Sequence, residues 1–537
     1  MIFHEKLTIG NAWKLSSEKY SELPFTASIN SNGYSYAEAA VAISRISAFL
    51  SNQQLKKGEK IALISENRAE WGLCWLGITT MGCVAVPVMT DFSSEQMLNI
   101  LEHSEARFVY VSEKMFGKIS ESNIVESGNY CLIDADPAFS ASDDKEFSEI
   151  QYIDINDPDD TAALIYTSGT TGISKGVLLS HKNIMTNAWD STFVGDFQPG
   201  DAMLSVLPLA HMYEFTQGFM TPMIEGANIT YLGQKPSPTL MMKALKNVRP
   251  HFMLSVPLLI EKIYKTSVLG PVSKSKALGI IYRIPPLRKL LNKFVIGKKL
   301  LKTFGGRLKF FGIGGAPLSE TVERFLREAA FPYAVGYGLT ETAPCLAGSA
   351  PFETIFKGIG PEFKHVKLRV SDEGEIQASG DTIMSGYYKD EEKTAEVFTE
   401  DGWFKTGDLG SIDTKGNLYI KGRLKNLILG PSGENIYPEE IENELKANPL
   451  VSECLVLNDD IGLVARVFLD QEKLKLQFEE LKHNVNNFPI WKENTLEDIR
   501  KTMNKRLSNF SKISHIVEQE IPFKLTPSLK VKRFLYM

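Results

Sequence analysis

The feature that most restricts this chain is a repeated exchange of helical for strand patterning. Tyr36–Gln54 carries apolar positions at helical spacing, and Glu59–Ile64 then reads as a short buried strand. Trp71–Met81 is apolar and helical, and Val84–Val88 is a strand. Ser94–His103 is a helix opening with Ser-Ser-Glu, and Phe108–Val111 is the next strand. The same strand texture recurs at Ala162–Tyr166, His251–Val256 and Leu308–Ile313. Strand, helix and strand at this spacing predict an α/β protein with a layered sheet.

The texture changes after about Gly360. Val366–Val370 and Gly374–Ala378 flank the turn signal Ser371-Asp-Glu-Gly374, and Ser411–Ile420 repeats the pattern around Thr414-Lys-Gly-Asn417. A small antiparallel β unit is expected there. Beyond Gly422 the chain is charged and mixed, with a helix from Pro438, strands near Cys454–Leu457 and Leu463–Phe468, and a helix at Leu496–Leu507. A domain boundary is placed near Arg423–Lys425.

At 537 residues with 43% hydrophobic content, the chain can build several cores. Its formal charge of −6 supplies no global attraction to nucleic acid, so nucleic acid is not among the expected partners. Five scattered cysteines, with no CxxC pair, argue against a disulfide framework or a zinc site and fit a reducing cytoplasm. The N-terminus lacks the pattern of a signal peptide, and no stretch is apolar enough to span a bilayer.

The strand Ala162–Tyr166 runs directly into T167-S-G-T-T-G-I-S-K-G176. Gly169, Gly172 and Gly176 let backbone N–H groups approach oxygens closely. Thr167, Ser168, Thr170 and Thr171 add hydroxyl donors, and Lys175 adds charge. Such a loop suits polyphosphate. It is not a Walker A loop, because Lys175 follows Ser174 and no Ser or Thr comes after it. By itself it also suits a flexible surface turn.

YTSGTTGISKGVLLSH closely resembles the signature loop of the adenylate-forming superfamily of acyl-CoA synthetases, luciferases and peptide-synthetase adenylation domains. Further family motifs follow in order: GGAPL at Gly314–Leu318, GYGLTET at Gly336–Thr342, TGDLG at Thr406–Gly410, KGRLKNLI at Lys421–Ile428, GENIYPEEIE at Gly433–Glu442 and LTPSLKVKR at Leu525–Arg533. The resemblance covers nearly the whole chain. It implies an N-terminal AMP-binding and acyl-binding domain, 1–422, of layered α/β subdomains with a small β-barrel-like subdomain at about 360–422. A hinge at 423–425 and a mobile α+β C-terminal domain, 426–537, complete the expectation.

The resemblance also implies roles. Thr340 contacts the α-phosphate, and Glu341 ligates Mg²⁺, a hard cation that takes oxygen donors. Asp408 accepts from the ribose hydroxyls and Arg423 makes the second ribose contact. Gly315, Ala316 and Pro317 wall the adenine, with Tyr337 stacking on it beside Gly338. Lys530, near the C-terminus, bridges the incoming carboxylate and the phosphate. Lys425 is the hinge, and Ser432, Gly433 and Glu434 belong to the face that admits CoA. ATP, Mg²⁺ and CoA are the implied cofactor and co-substrates.

Leu207-Pro-Leu-Ala-His-Met-Tyr-Glu214 resembles the corresponding stretch of long-chain fatty acyl-CoA synthetases more than that of acetyl, aryl or amino-acid members. His211 is expected by the acyl carboxylate or its tunnel gate, with a packed core histidine as the plainer reading. An acyl carrier protein in place of CoA, another apolar acid, and a non-catalytic nucleotide-binding homologue stay open. In the segment 287–302, Leu287, Leu290, Leu291, Phe294 and Val295 form an apolar stripe, with Arg288, Lys289 and Lys293 opposite. The plainer expectation is that this stripe docks on the protein's own core; contact with a membrane surface is the alternative.

Overall fold

The computed structural model describes residues 6–29, 31–139, 156–167, 175–430, 434–459, 461–481, 487–524 and 531–536. Among these residues the predicted alternation becomes two large sheets. One runs in the order Gly386–Tyr387, Lys175–Ser180, Thr161–Thr167, Val84–Pro87, Lys60–Ile64, Phe108–Val111 and Tyr130–Leu132. Its strands from Thr161–Thr167 to Tyr130–Leu132 are parallel, and the other two add antiparallel. The other sheet runs Cys345–Gly348, Tyr333–Gly338, Phe310–Ile313, Phe252–Ser255, Ala202–Ser205, Asn228–Tyr231, Pro24–Ser28 and Tyr34–Ser35. It is parallel inside and antiparallel at both edges.

Side-chain caps fix where the helices between these strands begin. Ser35 with Glu38, Ser93 with Gln96 and Ser180 with Asn183 each form a reciprocal capping box, which satisfies N–H groups that a helix start would otherwise leave open. The helix Ala69–Thr80 differs from the rest. Apart from Glu70, all its residues are buried, as expected of a segment apolar on every side. Trp71 and Trp75 stack at 5.5 Å, Trp75 lies 4.0 Å from the Phe215 ring, and a Cβ added at Gly72 would come within 2.6 Å of Phe219. This helix therefore joins the first sheet to the segment that follows His211.

The expected antiparallel unit is a four-stranded sheet, Val366–Val370, Glu375–Gly380, Phe404–Ile412 and Leu418–Arg423. Gly374 and Gly416, at φ 86° and 83°, take the left-handed positions of its two predicted hairpins. Beyond it, Val451–Asp459 and Gly462–Leu469 form a hairpin, His515–Glu518 adds in parallel, and Pro438–Lys446 and Phe488–Asn504 pack on this sheet around their own core. The last helix begins earlier than its apolar spacing suggests. The Asn487 side chain accepts from Ile490 N, and Pro489 sits in the first turn, where its missing N–H costs nothing.

Candidate active site

In parallel sheets, ligands bind beyond the carboxyl ends of the strands, and three of the predicted motifs leave the eight-stranded sheet there. His211 follows Ala202–Ser205, Gly315–Pro317 follows Phe310–Ile313, and Thr340–Glu341 follows Tyr333–Gly338. The last two strands are neighbours, with Ile313 opposite Val335, so their exits lie side by side. Gly315, Ala316 and Pro317 form an exposed turn, with Gly315 at φ 83°. A Cβ at Gly338 would lie 1.8 Å from the Pro344 carbonyl oxygen, so only glycine fits where the two edge strands meet.

Asp408 and Arg423 face each other across a hairpin, and Arg423 Nε lies 2.7 Å from Asp408 Oδ1. The Tyr337 phenol donates to Asp408 Oδ2 at 2.7 Å. Asp408 is buried, so both contacts are charge-assisted bonds in a site largely closed to water, each worth about 1.5–3 kcal/mol. Burial first, and then the Asp408 charge, push the Tyr337 phenol far above its ordinary range and keep it protonated as a donor. Tyr337, expected to stack on the base, uses its hydroxyl to tie Asp408 of the four-stranded sheet to the eight-stranded sheet.

Thr340 opens the short turn Thr340–Thr342 and is half-buried, as is Glu341. Tyr387 was missed by sequence reasoning, yet it organises this corner. Its phenol donates to Glu341 Oε1 at 3.0 Å, and the Lys175 ammonium lies 4.6 Å from its ring centroid. Tyr387 belongs to the short strand paired with Lys175–Ser180, so one side chain spans the two large sheets. Thr167 and Lys175 pair at the mouth of the phosphate loop. Ser168, Gly169, Thr170, Thr171 and Gly172 lie outside the described residues, as do Ser432, Gly433 and Lys530.

His211 is neither a packed core residue nor free. It caps the helix Met212–Phe215, with Nδ1 accepting from Tyr213 N at 3.3 Å. Asn67, also missed, clamps this segment by donating to Leu207 O and accepting from Leu209 N. Asn187 does the same for the turn after Glu341, bonding Thr342 O, Cys345 O and Cys345 N. Amides used this way leave no spacing signal in a sequence. Tyr213, two residues past His211, lines an apolar cavity together with Phe252, Phe310, Val335, Gly336 and Phe363, among others.

Lys425 sits exposed in the turn Leu424–Asn426, and partial desolvation, then the nearby Arg423 charge, lowers its pKa. Asn426 donates to Glu439 of the next helix, which also lies against Gly422. Glu434 accepts from Gly430 N through its carbonyl at 2.8 Å. Among the described residues no cluster of three or more His, Cys, Asp or Glu forms a metal cage. A single carboxylate at Glu341 suits Mg²⁺, which is commonly held by one or two carboxylates together with substrate phosphates.

Three sheets thus converge on the end of one strand, the arrangement of an adenylate-forming enzyme. The AMP-binding enzyme family model matches residues 16–388, and the chain belongs to that family. The long-chain-fatty-acid–CoA ligase FadD15 of Mycobacterium bovis is 30% identical, over 79% of this chain and 75% of its own length. A chloroplastic long-chain-fatty-acid–[acyl-carrier-protein] ligase of Arabidopsis thaliana, AEE15, is also 30% identical, over 76% of this chain and 68% of its own. Among solved structures, ATP-bound MatB from Rhodopseudomonas palustris superposes with a TM-score of 0.78 at 23% identity, covering 98% of both chains.

Proposed function

We propose that this chain joins a long-chain fatty acid to the thiol of CoA in two steps. In the first, a carboxylate oxygen attacks the α-phosphorus of ATP, the bond to the leaving pyrophosphate breaks, and acyl-AMP forms. In the second, the thiolate attacks the acyl carbonyl and AMP leaves. One observation carries this reading: the strand Tyr333–Gly338 and its continuation supply all three parts of the site. Tyr337 holds Asp408, Glu341 lies just beyond the strand, and Val335 and Gly336 line the apolar cavity. Nucleotide, cation and acyl chain would then meet within a few residues, and the apolar lining favours an alkyl chain.

In this reading Asp408 and Arg423 hold the ribose, Gly315–Pro317 flank the adenine, and Thr340 with the loop from Thr167 to Lys175 holds the phosphates. Bound at Glu341, Mg²⁺ supplies positive charge to the phosphate oxygens. The protein's own work is to orient two anions in line and to offset their repulsion with fixed donors. Lys530 completes that work for adenylation, and rotation about Lys425 replaces it with the face carrying Ser432–Glu434 for thioester formation. Five free thiols support a reducing compartment such as the cytoplasm, and among the described residues no helix is long and apolar enough to cross a membrane.

Acid-dependent exchange of pyrophosphate into ATP, run over a series of chain lengths, tests the first step. No exchange with any alkyl acid would overturn the reading and leave a non-catalytic nucleotide binder. The carrier-protein ligase among the relatives favours one second reading, an acyl carrier protein as the acceptor. Rival acceptors offered to pre-formed acyl-AMP separate the two.

A further inference from the structure

The helical run from Lys276 to Thr303 turns six large apolar side chains to the surface. It comprises Lys276–Arg283, Pro285–Leu291, the wide turn Asn292–Ile296 and Gly297–Thr303. Leu300 enters the second core, with Tyr282, Ile296 and Leu301 partly buried against it, and the other inward contacts are polar or small. Arg288 holds Glu328 with two bonds, Nε to Oε2 at 3.0 Å and Nη2 to Oε1 at 2.8 Å, and Asn292 donates to the same carboxylate at 2.8 Å. A Cβ at Gly297 would lie 2.3 Å from the Ala329 carbonyl oxygen, so the backbones meet there. Of the apolar stripe expected to dock, Leu287, Leu290, Phe294 and Val295 are turned outward and Leu291 is half-buried. Ile280, Ile284, Leu287, Leu290, Phe294 and Val295 are 42–62% exposed.

Single exposed apolar residues are ordinary, but six along one helical run mark an interaction surface. Its charge says what kind. Between Glu261 and Glu320 there is no Asp or Glu, while thirteen Lys and Arg occur, in a chain whose net charge is −6. Lys293 and Lys298 stand 5.6 and 5.8 Å from the centroid of the exposed Phe294 ring, so cations and apolar groups interleave. A second copy of the chain packing on this surface about a two-fold axis would set like charges against each other. An acidic protein would satisfy the lysines but leaves the six large apolar side chains without a stated use. An anionic bilayer surface satisfies both, because apolar side chains enter the boundary of headgroups and acyl chains while lysines stay among the phosphates.

We infer that residues 276–303 are a docking surface for anionic phospholipid bilayers, lying on the membrane and not crossing it. The surface is independent of the reaction: it stands whichever acid the site activates.

The test is co-sedimentation of the full chain with vesicles of phosphatidylcholine alone and of phosphatidylcholine with phosphatidylglycerol. Binding is expected to the anionic vesicles and to weaken with salt. The variant Leu287→Gln/Leu290→Gln/Phe294→Gln should lose it, and Lys289→Glu/Lys293→Glu/Lys298→Glu should lower it by about ten-fold or more. Both variants should keep the melting temperature and pyrophosphate exchange with a short, water-soluble acid. In the unmodified chain, anionic vesicles should protect these lysines from acetylation. Absence of vesicle binding, equal binding by the variants, or capture by acyl carrier protein with no vesicle binding would each overturn the proposal. None of these results bears on the exchange assay, so the two readings fail separately.

Discussion

Arg533 and Glu442, 91 positions apart in the chain, meet at 2.5 Å and join two motifs that the sequence lists separately. Arg533 also donates to Val456 O at 2.7 Å, and Glu442 accepts from Val456 N at 2.8 Å. Both side chains are mostly buried. The pair ties the chain's last turn to the helix Pro438–Lys446, and Lys530 lies only three residues before Arg533.

Arg533→Ala leaves the Glu442 carboxylate enclosed without its cation. The C-terminal unit should lose on the order of 3 kcal/mol, read as a lowered urea midpoint. Adenylation should fall with it, because the tail carrying Lys530 loses its anchor. An unchanged midpoint would show that water replaces the arginine.

Tyr387→Phe keeps the ring beneath Lys175 and removes only the hydroxyl on Glu341. The Mg²⁺ concentration for half-maximal exchange should shift by about five-fold, the equivalent of one hydrogen bond near 1 kcal/mol, while the apparent affinity for ATP stays put. Tyr387→Ala should change both. Equal effects of the two substitutions would refute the division of labour between ring and hydroxyl.

Asp408→Asn weakens the contact with Arg423 while still accepting from Tyr337. A drop of about 10–100-fold in kcat/KM for ATP is expected, from the loss of a charge-assisted bond. Tyr337→Phe should cost less. If Tyr337→Phe proved the more damaging, the phenol would be contacting the nucleotide directly.

Lys530→Ala should abolish adenylate formation yet spare thioester formation from pre-made acyl-AMP. Lys425→Pro should do the reverse, by stiffening the turn about which the second step is organised. Single-turnover assays of the two half-reactions distinguish them, and a variant that loses or keeps both would remove its residue from the scheme.

Glu214 is fully buried, and neither carboxylate oxygen has a partner among the described residues. Burial pushes its pKa up to about 8, opposed in part by the nearby Ser205 hydroxyl, which stops short of a full hydrogen bond. A carboxyl that folding keeps protonated contributes fully below its ordinary pKa near 4.5, and that contribution fades as pH climbs through about 8. Urea midpoints should therefore fall between about pH 5 and pH 8 in the parent chain and fall less in Glu214→Gln. Parallel decline in both would assign the pH dependence elsewhere.

Part of the candidate site was legible because the motifs carry particular residues at particular spacings. Asp408 and Arg423 are fifteen positions apart, and a hairpin with Gly416 at its turn brings them opposite each other. Tyr387, Asn67 and Asn187 were illegible for the opposite reason. Each acts on a residue far away in the chain, through a contact that exists only once two sheets have packed. The basic segment was legible as an amphipathic helix but not in its orientation. Its pattern says that two faces exist; the pairing of Arg288 with Glu328 and the bare backbone at Gly297 decide which one turns inward.

The helix Ala69–Thr80 has a further consequence. A segment with almost no side facing water has almost no position at which sequence can drift freely, because a gained or lost methyl is felt by a neighbour on whichever side it occurs. Its neighbours include the first sheet and, through Trp75 and Gly72, the Phe215 and Phe219 rings that follow His211 in the chain. Substitutions that reshape the proposed acyl side should therefore be felt in this helix, and compensating changes should be found in it, remote from the candidate site residues. Random mutagenesis followed by selection for a new acid would be expected to recover them there.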